Sequence, residues 1–154
     1  MFTLSPRRAW HGRLIHALVN VLAEQAPAGV EVEPQMTIRL DKYNRPEPDL
    51  LTTTAAYDPD RTFYPPDQVL LVVEVESPES AHRDRTVKLR KYAKAGIAHY
   101  WRIEEEQSSP VVHTYELDEP TRSYVATGIH RGELRVSRPF AVTIDLDKLL
   151  PARR

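Results

Sequence analysis

The stretch Gln68 to Glu76 (QVLLVVEVE) constrains this chain more than any other. It is an unbroken aliphatic run closed by two acids, the pattern of a central β-strand covered on both faces. Its strongly apolar part, Val69 to Val73, is the longest such run in the chain. That falls far short of the roughly 18–20 residues a membrane-spanning helix needs, so no membrane attachment is expected.

A strand buried on both faces requires a layer on each side, and the flanking sequence offers two helices. Trp10, Leu14, Ala17, Leu18, Val21 and Leu22 recur at spacings of three and four, which predicts an amphipathic helix from about Pro6 to Gln25, stopped by Pro27 and Gly29. Ser80 to Gly96 carries good helix formers with a glycine at the far end and predicts the second helix. Between the first helix and the central strand, Val30 to Leu40 reads as a strand bent around Pro34 and Asp41 to Arg45 as a hairpin tip. Asp49 to Thr53 follows as a short return strand. Thr54 to Asp67 holds three prolines and reads as a long surface loop, the most mobile segment of the chain.

After the second helix, Ala98 to Glu104 (AHYWRIE) begins another buried strand. Val111–Leu117, Ser123–Thr127 and Glu133–Val136 are expected to extend the sheet as a meander, before a terminal helical turn at Asp145–Leu150. The expected fold class is α/β: a mixed central sheet flanked by helices, with a β-meander in the C-terminal part. Residues 1–154 fit a single domain, since one core usually serves about 100–200 residues.

Charge and composition narrow the chemistry. With 21 Lys and Arg against 22 Asp and Glu the net charge is −1, so any nucleic-acid contact has to rest on a local patch. The absence of cysteine excludes disulfides, thiolate nucleophiles and iron–sulfur ligation, and leaves oxygen or imidazole as metal ligands. No apolar run follows the basic N-terminal residues, so a secretory signal is not supported and cytoplasmic residence is the expectation.

The acids at the end of the central strand are the chemical anomaly. Side chains alternate along a strand, so Glu74 and Glu76 share a face with Val72 and oppose Val73 and Val75. Buried carboxylates are costly unless a cation, a proton or hydrogen bonds compensate. Either the strand end emerges into solvent with Arg or Lys partners, or the acids serve a site. Asp49 bears on the choice, because it follows Pro48 at a strand edge and begins another apolar stretch, so that three acids can converge. Carboxylates on adjacent strands suit a hard divalent cation such as Mg²⁺ held beside a phosphate. Such an ion lowers the pKa of a bound water and stabilises charge developing on a phosphoryl group.

The helix after that strand carries Arg83, Arg85, Lys88, Arg90, Lys91 and Lys94 against the single acid Asp84. At about 100° per residue, Asp84, Lys88 and Tyr92 occupy one arc and Arg83, Arg90 and Lys94 another. The first arc can face the acids, where a lysine orients a nucleophilic water and offsets phosphate charge. The second can contact a nucleic-acid backbone, or be an ordinary solvated face. His11 and His16, five apart, lack zincin spacing; His16 reads as structural, and His11, which opens a helix and so can approach the site, reads foremost as a surface residue. No Gly-x-Ser-x-Gly elbow and no phosphate-cradling glycine loop is present, which removes the serine-hydrolase and nucleotide-loop readings.

Pro48-Asp49, Val73-Glu74-Val75-Glu76-Ser77-Pro78, Asp84, Lys88, Tyr92, Gly96 and Tyr100-Trp101, in this order and spacing, resemble the Uma-two family of endonucleases. That family is a branch of the PD-(D/E)XK, or restriction-endonuclease-like, superfamily. The resemblance covers roughly residues 9–147 and is strongest from Pro46 to Ile103. It implies a restriction-endonuclease-like sheet whose acids meet at its centre, with Asp49 and Glu74 as Mg²⁺ ligands and Mn²⁺ as a substitute ion. Where the superfamily has a lysine two places after the second acid, this chain has Glu76. Relatives supply that lysine from the neighbouring helix, and by this pattern Lys88 takes the role, with Lys91 as fallback. Glu76 then becomes a further ligand or a water-orienting base.

The leading expectation is a Mg²⁺-dependent endonuclease that hydrolyses DNA phosphodiesters through a metal-activated water. Asp49, Glu74, Glu76 and Lys88 are its catalytic residues, and a two-fold homodimer places two basic helices along the duplex. The alternative is a non-catalytic nucleic-acid-binding or assembly module, in which the acids are ion-pair partners of the basic helix. A third reading is a metal-dependent hydrolase of a smaller phosphate ester.

Overall fold

The structure, a computed structural model, describes residues 7–76 and 81–152, with the backbone alone for residues 81–84. Helix α1 (Ala9–Gln25) is followed by β1 (Glu31–Pro34), β2 (Thr37–Ile38), β3 (Leu50–Thr53), β4 (Phe63–Tyr64) and β5 (Val69–Val75). Helix α2 (Ala81–Lys94) leads to β6 (His99–Glu106), β7 (Ser109–Asp118), β8 (Ser123–His130), β9 (Glu133–Val136) and β10 (Val142–Asp145). The expected strand end at Ser77-Pro78 lies outside the described residues.

Six strands form the main sheet in the order β1-β3-β5-β6-β7-β8. Only β5 and β6 run parallel, because α2 carries the chain across between them; every other neighbour pairs antiparallel. The α/β expectation therefore holds, as a mostly antiparallel mixed sheet with helices against it. β5 sits inside the sheet, and alternation divides its side chains between two cores. Val73 and Val75 pack with Leu14, Leu18 and Leu22 of α1 and with Trp101 and Ile103 of β6. Val72 packs on the other side with Leu51, Tyr92, Ile97 and Tyr100.

Three local expectations are corrected. The bent strand over residues 30–40 is two strands, because Gln35 adopts a positive φ of 53° between them. β1 stays in the main sheet against β3, whereas β2 leaves it and pairs in parallel with β4. Part of the segment expected as a long loop is therefore β4, followed by a 3-10 turn at Pro66–Gln68. At the C-terminal end the meander stops at β8. β9 turns away to pair with β10, a strand the sequence analysis missed. Its apolar residues Val142 and Ile144 alternate with Thr143 and Asp145 over four positions, too short a run to separate from a loop.

The β9–β10 pair and the 3-10 turn Leu146–Lys148 after it close the α1 face by adding Leu134, Val142, Ile144 and Leu146 to its core. The strand pair is fastened to α1 by Gln25. The Gln25 carboxamide donates to the Thr143 carbonyl and accepts from the Thr143 N–H, each at 2.8 Å, as a neighbouring strand's backbone would. On the other face, α2 is followed by a turn at Gly96, whose φ of 89° is one that residues with a side chain rarely adopt.

Candidate functional site

β3 opens at Leu50 opposite Val73 of β5. Continuing that register by one residue sets Asp49 opposite Glu74, at the mouth of the ladder. Beyond Leu50 there is no β3 backbone for Val75 to pair with, and its N–H donates instead to Asp49 Oδ2 at 2.7 Å. The other oxygen, Oδ1, faces the start of α1, with Arg7 Nη1 at 2.8 Å and His11 Nε2 at 3.0 Å. Burial works against the charge of this carboxylate, which is only 6% exposed. The His11 contact, the Val75 N–H and Arg7 outweigh it and hold the pKa below the usual carboxylate value.

Glu74 is served from the opposite side, by α2. Its Oε1 accepts from the Tyr92 hydroxyl and its Oε2 from Lys88 Nζ, both at 2.7 Å. Lys88 and Tyr92 are four residues apart and so lie on one helical face. Burial, and next the Glu74 charge, drive the Tyr92 pKa strongly up, so this hydroxyl remains a donor at every working pH.

Glu76 shares the Glu74 face and binds two guanidiniums. Arg85 of α2 donates through Nε at 3.1 Å and Nη2 at 3.0 Å, and Arg102 of β6 through Nη1 at 3.3 Å. Arg102 is buried, stands in register with Glu74, and also donates to Glu104 Oε2 at 3.0 Å. Glu104 Oε1 in turn lies 2.9 Å from His113 Nε2. The acids are thus embedded in an alternating array of charges rather than emerging bare into solvent.

Of the residues singled out in the sequence, Asp49, Glu74, Glu76 and Lys88 are gathered at one end of the sheet. Lys91 is not with them; it is exposed and acts electrostatically on Asp41. Arg90 and Lys94 are exposed, while the side chains of Arg83 and Asp84 lie outside the described residues. The sequence analysis placed His11 among surface residues, and the structure moves it into the site, its side chain 14% exposed. The signal was present: His11 stands three and four residues before the buried Leu14 and Ile15, so it continues the buried stripe of α1. Arg102, likewise missed, is an arginine inside the apolar and aromatic run AHYWRIE, and an arginine there demands an acid.

Among the described residues no group of three or more His, Cys, Asp or Glu is arranged to hold a metal. Asp49 and Glu74 nevertheless have the donor chemistry for Mg²⁺, which takes one or two carboxylates and fills its remaining positions with water and phosphate oxygen. Carboxylate oxygens carry two lone pairs each, so the hydrogen bonds already made leave acceptor capacity.

The family model described as "Putative restriction endonuclease" matches residues 1–147. This chain belongs to the Uma2 family. Among solved structures, the Uma2 chain is similar to a protein from Anabaena variabilis titled a "putative nuclease belonging to DUF820". The TM-score is 0.69 over 96% of this chain and 84% of that one, at 14% identity, which shows a shared fold. No curated protein matches the chain. No helix among the described residues is long and apolar enough to cross a membrane.

Proposed function

We propose that this Uma2 protein is a divalent-metal-dependent endonuclease acting on DNA. The observation that carries the reading is the strand register, which, continued by one residue past Leu50–Val73, sets Asp49 opposite Glu74 at the end of the β3–β5 ladder, with Lys88 Nζ 2.7 Å from Glu74. Asp49 and Glu74 would hold Mg²⁺, or Mn²⁺ in its place. When bound, the ion supplies Lewis acidity, lowering the pKa of a water and offsetting charge on a phosphoryl oxygen.

The protein's own groups have separate tasks. Lys88 sets a positive charge beside Glu74, where it orients the attacking water and neutralises charge gathering on the phosphate, and it supplies no oxygen ligand. Tyr92 fixes the Glu74 carboxylate from its other oxygen, as the Val75 N–H and His11 fix Asp49. Glu76, held by Arg85 and Arg102, lines the site beside Glu74 and positions those cations. Asp49, Glu74 and Glu76 are met by Arg7, Lys88, Arg85 and Arg102, so a phosphodiester approaches a region that is not negative overall.

The test is nicking of supercoiled plasmid with Mg²⁺, with Mn²⁺ and with EDTA, by wild type and Lys88→Met. Cleavage should require the metal and fall by at least about a hundredfold in the variant, a typical cost for one electrostatic group at a reacting centre. The metal-induced rise in melting temperature should survive in both proteins. Cleavage retained by Lys88→Met would remove Lys88 from the chemistry, and cleavage in EDTA would remove the metal.

One observation favours the non-catalytic alternative: both oxygens of Asp49 and both of Glu74 already have hydrogen-bond partners. On that reading millimolar Mg²⁺ leaves the melting temperature unchanged, and DNA is bound but not cut. A two-fold dimer would let paired sites address both strands, and light scattering at assay concentration decides its presence.

A further inference from the structure

A cleft of about 250 Å³ runs between α2 and the β7–β8 hairpin. Arg85, Arg90 and Arg122 line it together with Thr86, Tyr115 and Ser123 and an apolar floor that includes Leu89 and Ala93, and no acid among the described residues does. A second cleft, of about 230 Å³ beside β9, differs in this respect: it contains Glu116, which lies 3.9 Å from its His99. The α2 cleft is therefore cationic at its rim over a partly apolar floor, and it touches the candidate site through two shared groups. Arg85 reaches from it to Glu76, and the Tyr115 hydroxyl accepts from Arg102, which also holds Glu76.

Two features set its arginines apart from an ordinary solvated face. Arg90 makes no ion pair among the described residues. Arg122 sits in the left-handed region at φ 54°, a conformation that turns usually give to Gly or Asn. Its guanidinium lies over Gly96, with Nη1 only 3.2 Å from where a Cβ would stand, and its one acidic partner, Glu119, is an exposed residue of the same turn at 3.3 Å, a pair that solvent screens and a phosphate can displace. A long cationic side chain is thus held in a costly backbone position, against a residue that leaves it room.

We infer that this cleft binds a phosphate of the nucleic-acid strand flanking the one at Asp49 and Glu74, with Arg90 and Arg122 as its contacts. The inference deepens the nuclease reading and rests on it for the direction of the strand, while its measurement needs no cleavage. The recognition is by charge and donors, so it is independent of base sequence.

The experiment is fluorescence anisotropy of a labelled oligonucleotide, single-stranded and duplex, with the full chain in EDTA across a salt series. Arg90→Gln/Arg122→Gln should weaken binding roughly tenfold at low salt and flatten the log–log salt dependence by about 1.4 on single strands and 1.8 on duplex, two contacts' worth. Arg90→Lys/Arg122→Lys should keep the wild-type slope. Arg122→Asn, which tolerates the positive φ, should melt no lower than wild type yet bind more weakly, separating a binding role from a structural one.

An unchanged slope in the Gln variant, or a Lys variant as weak as the Gln variant, overturns the inference. So does millimolar inorganic phosphate that abolishes the difference between wild type and variant, since that assigns the cleft to a free anion. Wild type that binds through these arginines but cuts nothing in Mg²⁺ leaves the cleft standing and ends the nuclease reading. A Gln variant that cleaves with unchanged KM does the reverse.

Discussion

The two faces of the central sheet are held by different forces. Against α1 the contacts are hydrocarbon: Leu14, Leu18 and Leu22 meet Leu50, Val73 and Trp101, and β9–β10 seals the rim. Against α2 the core adds tyrosines to its aliphatic residues, with Tyr100 centred 5.7 Å from both Tyr92 and Tyr124. The sequence of α2, AHRDRTVKLRKYAK, offers few apolar residues for burial, and Val87 is half exposed. A helix this polar gains little from hydrophobic packing. Its attachment runs instead through Lys88 and Tyr92 to Glu74 and through Arg85 to Glu76. The α1 face is held mainly by apolar packing and meets Asp49 only at the start of the helix, through Arg7 and His11, whereas the α2 face is bound to the sheet by the residues proposed to carry the chemistry.

Substitutions on each face put that contrast to the test. Leu18→Ala removes a side chain that is 1% exposed and should cost about 2–5 kcal/mol by denaturant unfolding. Tyr92→Phe deletes one hydroxyl, leaving Glu74 Oε1 buried without its donor, and should cost about 1–3 kcal/mol. If the second loss equals the first, polar attachment matters as much as hydrocarbon and the contrast collapses. If it is near zero, α2 is held by its tyrosine rings and the hydroxyl serves only to orient Glu74.

The smallest expected effect concerns pH on the α1 side of the sheet. Burial depresses the His99 pKa, outweighing the upward pull of Glu116, and Arg138 adds a smaller push in the same downward direction. Above the ordinary value of about 6.5 the ring is neutral in both the folded and unfolded chain. As pH falls through that value the unfolded chain takes up a proton first, so stability is lost until the folded pKa is also passed. His99→Gln should therefore show a smaller drop in melting temperature between neutral and mildly acid pH than wild type. An equal drop would assign the acid sensitivity to other groups.

The parts of this molecule legible in the sequence are those where one physical signal acts alone. The stripe from Leu14 to Leu22 and the run from Val69 to Val75 declare a buried helix and a buried strand, and both are found. The alternation that sets Glu74 and Glu76 opposite Val73 and Val75 is present too, since Val73 and Val75 belong to the α1 core while Glu74 meets α2. What escaped were consequences of tertiary contact. The split between β1 and β2 depends on one residue, Gln35, adopting a positive φ, and β4 exists only because β2 swings out to pair with it. In the site, the acids and Lys88 were readable because carboxylates at a strand end and a lysine on the next helix have a shared chemical use. His11, on the buried stripe of α1, and Arg102, inside an apolar run, carried a signal of burial but not of their partner, and Arg7 carried none, because the acid each meets is decided by the fold.

The Gln25–Thr143 clasp has a kinetic consequence. The main sheet is laid down in chain order, β1 through β8, so most of its pairings close short loops and can form while the chain is still being made. The clasp joins residues 118 apart, and closing so large a loop costs more chain entropy than any pairing between sequential strands. Helix α1 thus emerges first but keeps part of its apolar face, including the surface that meets Val142 and Ile144, uncovered until the far end of the chain arrives. During synthesis that waiting face is where the nascent protein is most open to chaperones and to mispairing with other chains.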